Sequence, residues 1–452
     1  MYGPWLYWLI GFYLCLPITA YVILPYIRSK GTYSGNRKSI AIIVLGDLGH
    51  SPRICYQAKS FSNFDYYVTL CGYLESEPPM DVIDDINIDI NEIKPIKNSF
   101  HLPYLLFAGE KVCLQLVQLF KLLLGFRGTD YILLQNPPSI PILLLVIIFK
   151  KIFSPSTFII VDWHNLNYTI LNLKFQNENH PVIRAVRFYE QFLGKHFVDL
   201  NMTVTKMMKT FLVKEFQFTA KKVITLYDRP SNNFQPLTST KEKQEIIESI
   251  DVFNDIPNIN NYKILISSTS FTPDEDFNVL LTALEKYHTQ IETTKNLPPI
   301  LLIVTGKGPL KNDFLTKVKQ LDFNPSKIII KSTWLAIEDY PKVLSVADLS
   351  VSLHTSSSGI DLPMKIVDFF GSGIPVISLN FPAINELVKH GINGLVTSNK
   401  PEVKASDEIY RLLFEVFTND ELLSTLKEGA LEESKLRWDE NWNNTLGKFF
   451  DY

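Results

Sequence analysis

A chain of 452 residues is longer than one ordinary hydrophobic core fills, so two domains are expected. Hydrophobic residues make up 46% and charged residues 20%, the balance of a globular protein with some membrane contact, and a formal net charge of −3 leaves no basic footprint for nucleic acid. The cysteines, Cys15, Cys55, Cys71 and Cys113, form no CxxC pair, which argues against a disulfide scaffold and fits a reducing compartment.

Pro4 to Ile27 is an uncharged, mostly apolar run of roughly 24 residues, against the ~20 that span a bilayer. Trp5, Tyr7, Trp8, Tyr21 and Tyr26 fall near its ends, as interfacial aromatics do. Arg28, Lys30, Arg37 and Lys38 follow it, and no basic residue precedes it. The positive-inside rule then puts the bulk of the chain in the cytosol, and the missing basic n-region argues against a cleaved signal peptide. Residues 1–30 are expected to be a single-pass anchor.

The first domain, residues 31–229, opens with SIAIIVLGDLGHSPR. Ile40–Leu45 is a continuous apolar run rich in β-branched residues, as in a parallel strand buried on both faces. Gly46 and Gly49 break it, and a helix can start near Ser51, the opening of a βαβ unit. Tyr66–Leu70, Tyr131–Leu134, Phe158–Val161, Leu200–Val204 and Val223–Leu226 read as further strands, with helical patterns such as Ile183–Phe197 between them. Leu102–Phe126 and Ile140–Phe153 read either as core helices or as helices lying in a membrane plane, with Lys121, Lys150 and Lys151 at the headgroups.

Residues 230–261 are polar, with a charged run at Lys241–Glu248, and read as an interdomain linker. A second alternation fills residues 262–405. Its strands are expected at Lys263–Ile266, Ile300–Val304, Lys327–Ile330, Asp348–Leu353 and Pro375–Leu379, and its helices at Asp274–Thr289, Leu310–Leu321 and Leu362–Phe370. Residues 406–452 look helical and are expected to pack back on the first domain. The fold class is α/β, with two Rossmann-like domains facing a cleft behind an N-terminal transmembrane helix.

In open α/β sheets ligands gather beyond the carboxyl ends of the strands, and five groups of residues sit there. In Gly46-Asp47-Leu48-Gly49-His50-Ser51, the glycines let backbone N–H groups approach a ligand oxygen. Asp47 and His50 are candidate general bases, although a tight capped turn would use the same residues. Asp162-Trp163-His164-Asn165 brings an acid and an imidazole to the next strand end, for chemistry or for loop stability. Ser267–Asp276 combines a hydroxyl-rich strand end, an N-cap at Thr272 and proline at N1. Capping explains most of it, and Glu275 and Asp276 could instead meet sugar hydroxyls.

Thr305-Gly306-Lys307-Gly308-Pro309 suits a phosphate through backbone amides and a lysine, without the spacing of a P-loop. The fullest constellation runs from His354 to Asp368. Ser356, Ser357, Ser358 and Gly359 form a small-residue loop able to wrap a diphosphate, Lys365 would neutralise it, and Asp368, three residues on, could accept from ribose hydroxyls. Asp361, in the same loop, is a candidate sugar contact.

GDLGHSPR, DWHN, DRP, SSTSFTPDEDF, VTGKGP and HTSSSGIDLPMKIVDFFGSGIPV resemble, in order and over nearly the whole chain, the chitobiosyldiphosphodolichol β-mannosyltransferases. The resemblance implies a GT-B fold, GDP-mannose as donor and dolichyl-diphosphate-linked chitobiose as acceptor. It implies the cytosolic face of the endoplasmic reticulum membrane and transfer of the first β-linked mannose of the N-glycan precursor with inversion. Ile360 falls where retaining GT-B enzymes carry the first glutamate of E-x₇-E, so that assignment is not carried over. The base should come from the first domain, in the order Asp47, His50, Asp162, with His164 orienting or binding. No tightly bound cofactor or metal is expected, though magnesium could assist in assays because donor and acceptor both carry diphosphates. Other dolichol-pathway transferases, or a second copy of this chain, are conceivable partners that no motif here names.

Overall fold

The computed structural model describes residues 37–96, 104–294, 297–400 and 402–450, together with Tyr13. Apart from Tyr13, the run expected as an anchor lies outside the described residues. No helix among the described residues is long and apolar enough to cross a membrane. The chain divides into two compact units. Unit 1 comprises Met1–Val204, Lys209–Thr225 and Leu446–Tyr452; unit 2 comprises Thr205–Met208 and Leu226–Thr445.

Unit 1 is built on a seven-stranded parallel sheet. Its strands are β1 (Ser39–Asp47), β2 (Tyr67–Tyr73), β3 (Ile88–Glu92), β4 (Tyr131–Asn136), β5 (Phe158–Trp163), β6 (Leu200–Thr203) and β7 (Val223–Thr225), in the order β3-β2-β1-β4-β5-β6-β7. Ile42 pairs with Leu70 on one side and Leu133 on the other, and the centre of β1 is buried throughout, as its unbroken apolar run requires. Its helices include α1 (Pro52–Asn63), α2 (Tyr104–Gly125), α3 (Ile142–Ile152), α4 (Asn167–Phe175) and α5 (Pro181–Phe197). Both strongly apolar stretches are therefore helices of this unit. Near the C-terminus, Phe450 sets its ring edge-on against Phe61, Tyr66 and Tyr131 and accepts a hydrogen bond from the Tyr66 hydroxyl at 3.2 Å.

Unit 2 carries a six-stranded parallel sheet, in the order β10-β9-β8-β11-β12-β13. The strands are β8 (Lys263–Thr269), β9 (Ile300–Gly306), β10 (Ile328–Thr333), β11 (Leu349–Ser352), β12 (Val376–Ser378) and β13 (Gly394–Val396). Its helices include α6 (Thr240–Ser249), α7 (Phe277–Thr293), α8 (Lys311–Leu321), α9 (Met364–Gly371), α10 (Ala405–Thr418) and α11 (Asp420–Ser434). Alternate residues of β8 and β9 feed two cores, one on each face: Ile264, Ile266, Leu301 and Ile303 enter one, Leu265, Leu302 and Val304 the other.

Two expected boundaries change. Residues 230–261 do not form a linker: Phe234, Ile247, Ile250, Val252 and Phe253 belong to the core of unit 2. Of the segment 406–452, only residues from Leu446 onward belong to unit 1, whereas Leu412, Val416, Leu423 and Leu426 of α10 and α11 bury in unit 2.

Candidate active site

The strand order turns at β1/β4 in unit 1 and at β8/β11 in unit 2. At such switch points the connections leave for opposite faces of the sheet and open a crevice beyond the carboxyl ends. The residues singled out from the sequence lie at these two points or beside them.

In unit 1, β1 ends at Asp47 and a one-turn 3₁₀ helix, Leu48–His50, follows. Oδ1 of Asp47 accepts from the amides of Glu75 and Ser76, both at 3.0 Å, and Oδ2 lies 2.5 Å from Nδ1 of His50. Burial alone would raise this carboxyl, but His50 and the two amides outweigh it and hold it below the usual carboxylate range. Asp47 therefore stays ionised with its lone pairs engaged. An ionised carboxylate oxygen only accepts, so in a neutral imidazole this contact puts the proton on Nδ1 and makes Nε2 the acceptor. The His50 side chain is 61% exposed, against 13% for Asp47. Of these two candidates for the base, His50 presents the more exposed side chain, and Asp47 the one engaged by backbone amides. Gly49 serves close packing: a Cβ there would come within 2.7–2.8 Å of Ser76 and Glu77, while at Gly46 the nearest atom would be 3.4 Å away.

Asp162, at the end of β5, is wholly buried rather than open to a ligand. Arg53 of α1 grips it at two points, Nε to Oδ2 at 2.8 Å and Nη2 to Oδ1 at 2.9 Å, and His164 Nε2 lies 3.2 Å from Oδ2. Burial opposes ionisation, but the Arg53 charge and the contact with His164 prevail and hold the carboxyl well below the usual range. With both oxygens committed, Asp162 suits positioning of His164 better than proton abstraction. Arg53 was not anticipated. Its one sequence signal is an arginine in the first turn of a helix whose neighbours Ile54, Cys55 and Ala58 are all buried.

In unit 2, the loops after β8 and β11 meet at the switch point. The Thr355 hydroxyl donates to the Asp274 carbonyl at 3.0 Å, and His354 lies 3.8 Å from both Asp274 and Asp361. Asp361 ties its own loop together by accepting from the hydroxyls of Ser356 and Ser358, and Ser356 Oγ accepts from the Gly359 amide at 2.7 Å. Gly359 has φ +73°, a left-handed conformation that favours glycine. Asp361 thus shapes the serine loop from within, and its carboxyl is held low: burial opposes, but His354 and the serines prevail.

Glu275, the candidate sugar contact after β8, is likewise engaged by its own unit. It is buried, accepts from Thr269 Oγ1 at 2.6 Å and the Ser270 amide at 3.0 Å, and forms an ion pair with Lys365 in the first turn of α9. Its carboxylate faces the lysine. Helix α7 begins at Phe277, not Asp274, because the Asp276 side chain caps it by accepting from the Asn278 amide at 3.0 Å; Thr272 is not the cap. Gly306 and Gly308 let the β9 loop press on the β8 loop, where Cβ atoms would come within 1.8 Å of the Thr269 carbonyl oxygen and 1.7 Å of the Ser270 one. Lys307 stands 4.1 Å over the ring of Trp334, an exposed aromatic just past β10 that sequence reading missed although it lies at the ligand edge.

Asp368, on α9, lies 3.4 Å from the Tyr340 hydroxyl. Desolvation, with the Asp228 carboxylate adding to it against the Tyr340 hydrogen bond, pushes its carboxyl from 3.8 to about 8. A raised native pKa means that the folded chain holds a proton the unfolded chain gives up. The group's contribution to stability is whole below 3.8 and is lost as pH climbs to about 8. Asp368→Asn should therefore raise the Tm of the ligand-free protein, little near pH 4, increasingly toward pH 8 and no further above it. Thermal unfolding across that range checks it; a shift of Tm that ignores pH would contradict the assignment.

Among the described residues, no three of His, Cys, Asp or Glu gather to hold a metal ion.

Residues 262–414 match the family described as glycosyl transferases group 1. The chain is 65% identical to the chitobiosyldiphosphodolichol beta-mannosyltransferase of Debaryomyces hansenii, an alignment covering 100% of this chain and 95% of that one. It is 60% identical to the Candida albicans protein of the same name, over 99% and 96% of the two chains. To the Homo sapiens protein of that name it is 34% identical, over 96% and 98%. Among solved structures, Anabaena HepE in complex with UDP and glucose gives a TM-score of 0.62 at 14% identity, covering 92% of this chain and 100% of that one. Sucrose-phosphate synthase from Thermosynechococcus elongatus gives 0.67 at 13% identity, covering 92% and 98%. At such identities the likeness speaks to fold alone, the GT-B arrangement of two Rossmann-like parallel sheets.

Proposed function

The chain belongs to the chitobiosyldiphosphodolichol beta-mannosyltransferases, and on that premise we propose that it moves mannose from GDP-mannose onto dolichyl-diphosphate-linked chitobiose, in β-1,4 linkage with inversion, releasing GDP. The observation that carries this reading is the 65% identity, over the whole chain, to a relative named for the activity. The two switch-point sites support it with groups suited to each half of the reaction.

Inversion takes a single in-line displacement. The acceptor oxygen bonds to the anomeric carbon as the bond to the GDP oxygen breaks, and the acceptor proton passes to a base. His50 Nε2 is that base, with Asp47 holding the ring in the accepting tautomer. His164, steadied by Asp162, binds or orients the acceptor. GDP leaves with the bonding electron pair, and its charge is met by Lys365, Lys307, the amides of Ser357–Gly359 and the N-terminus of α9. Asp368 meets the ribose hydroxyls. A divalent cation, where assays call for one, would travel with the diphosphates rather than occupy a site of the protein. We place the enzyme at the cytosolic face of the endoplasmic reticulum membrane, anchored by residues 4–27.

A transfer assay tests the reading: full-length protein, polyprenyl-diphosphate chitobiose, and GDP-mannose or UDP-N-acetylglucosamine. One β-linked mannose is expected, from GDP-mannose alone. Transfer from the UDP-sugar, or an α linkage, would overturn the donor or the inversion.

A further inference from the structure

Two neighbouring helices of unit 1 turn apolar stripes toward solvent where a solvated helix carries charge. On α3, Leu144, Ile148 and Ile152 follow one another four residues apart and are 41%, 36% and 38% exposed. On α5, Phe188 and Phe192 stack with ring centroids 5.5 Å apart and are 64% and 42% exposed. The helices lie side by side: the Leu144 amide donates to the Tyr189 hydroxyl at 3.1 Å, and Lys151 Nζ stands 4.2 Å over the Phe197 ring. The stripes therefore share one surface, an exposed apolar area of the kind that marks a contact site.

Charge selects the contact. No carboxylate occurs on α3, and the one on α5, Glu190, is buried. Lys151, Arg184 and Arg187 are exposed on the same helices. On the two helices themselves every exposed charge is a cation, while Asp199 beside Lys150 and Glu215 beside Gln191 belong to neighbouring segments. Apolar stripes carrying their own cations match an anionic lipid surface, where apolar groups reach the acyl boundary and each cation gains about fivefold in surface affinity.

We propose that α3 and α5 lie on the surface of an anionic bilayer, with Ile148 and Phe188 at the acyl boundary and Lys151, Arg184 and Arg187 among the headgroups. Such docking would bring unit 1 to a lipid-borne acceptor. In that purpose it rests on the function proposed above, whereas the surface itself is read from the helices.

The test uses the full-length chain in nanodiscs of phosphatidylcholine with or without phosphatidylserine. A polarity-sensitive fluorophore is placed at Ile148→Cys or Phe188→Cys, with Cys15 and Cys113 replaced by serine and Ile86→Cys, whose native side chain is 95% exposed, as control. Blue-shifted emission, quenched by acyl-chain nitroxide lipids, is expected at positions 148 and 188 but not 86, and more strongly with phosphatidylserine. Emission as in water at all three positions would overturn the proposal. So would a shift in lipid-free detergent that grows with protein concentration, which marks a second copy instead. Ile148→Glu with Phe188→Glu should raise KM about tenfold for an acceptor in bilayers and leave a short-chain acceptor in detergent unaffected. Equal effects on both acceptors would count against docking. The fluorescence is read without turnover, so a chain that docks but transfers no mannose would refute the functional reading and keep this one.

Discussion

Lys365→Ala should lower turnover by about 10²-fold or more, the scale of losing one charge-stabilising donor at a departing group. Lys365 sits in the first turn of α9, where the helix dipole already favours an anion, and its side chain is only 25% exposed. Its partner Glu275 complicates the simple experiment. That carboxylate is buried, and removing the lysine leaves it without its cation, a loss that for buried pairs costs about 3–5 kcal/mol in stability. Lys365→Ala should therefore also lower the Tm. The double variant Lys365→Ala with Glu275→Gln separates the two effects, because a neutral amide needs no cation. It should recover much of the Tm and none of the turnover. Recovery of both would mean that the lysine only neutralises Glu275. Near wild-type turnover in the single variant would remove Lys365 from donor chemistry altogether.

The same pair shows why the sheets were legible in the sequence while much of the site was not. Central strands such as β1 and β9 are buried on both faces, so composition alone betrays them. Edge strand β3 reads Ile-Asp-Ile-Asn-Glu, keeps Asp89 and Glu92 exposed, and offers no apolar run to find. Residues 230–261 look like a linker because of their charges, yet four apolar side chains between Ile247 and Phe253 enter the core of unit 2. The acids mislead for another reason. Asp162 and Glu275 look like ligands because chemical type is visible in sequence and partnership is not: Arg53 lies 109 residues from Asp162, and Lys365 lies 90 residues from Glu275. Asp47 and His50 are three residues apart, so their contact could be suspected, but the two amides that occupy Asp47 come from a loop 28 and 29 residues away.

Those amides also set which way an amide substituted at position 47 would turn. His50→Ala should cut turnover by about 10²–10⁴-fold, the usual worth of a positioned general base, with little change in Tm because the ring is largely exposed. Asp47→Asn should be nearly as damaging, for a different reason. The asparagine oxygen can still accept from the Glu75 and Ser76 amides, which turns its NH₂ toward His50 Nδ1. Nδ1 must then accept, the ring proton moves to Nε2, and the atom meant to receive the acceptor proton already carries one. A carboxylate acting as the base would give another pattern: Asp47→Asn would abolish turnover and His50→Ala would spare most of it. Turnover of His50→Ala within a fewfold of wild type, in protein shown to be folded, would return the base to Asp47 and leave His50 as a donor that merely holds the carboxylate in place.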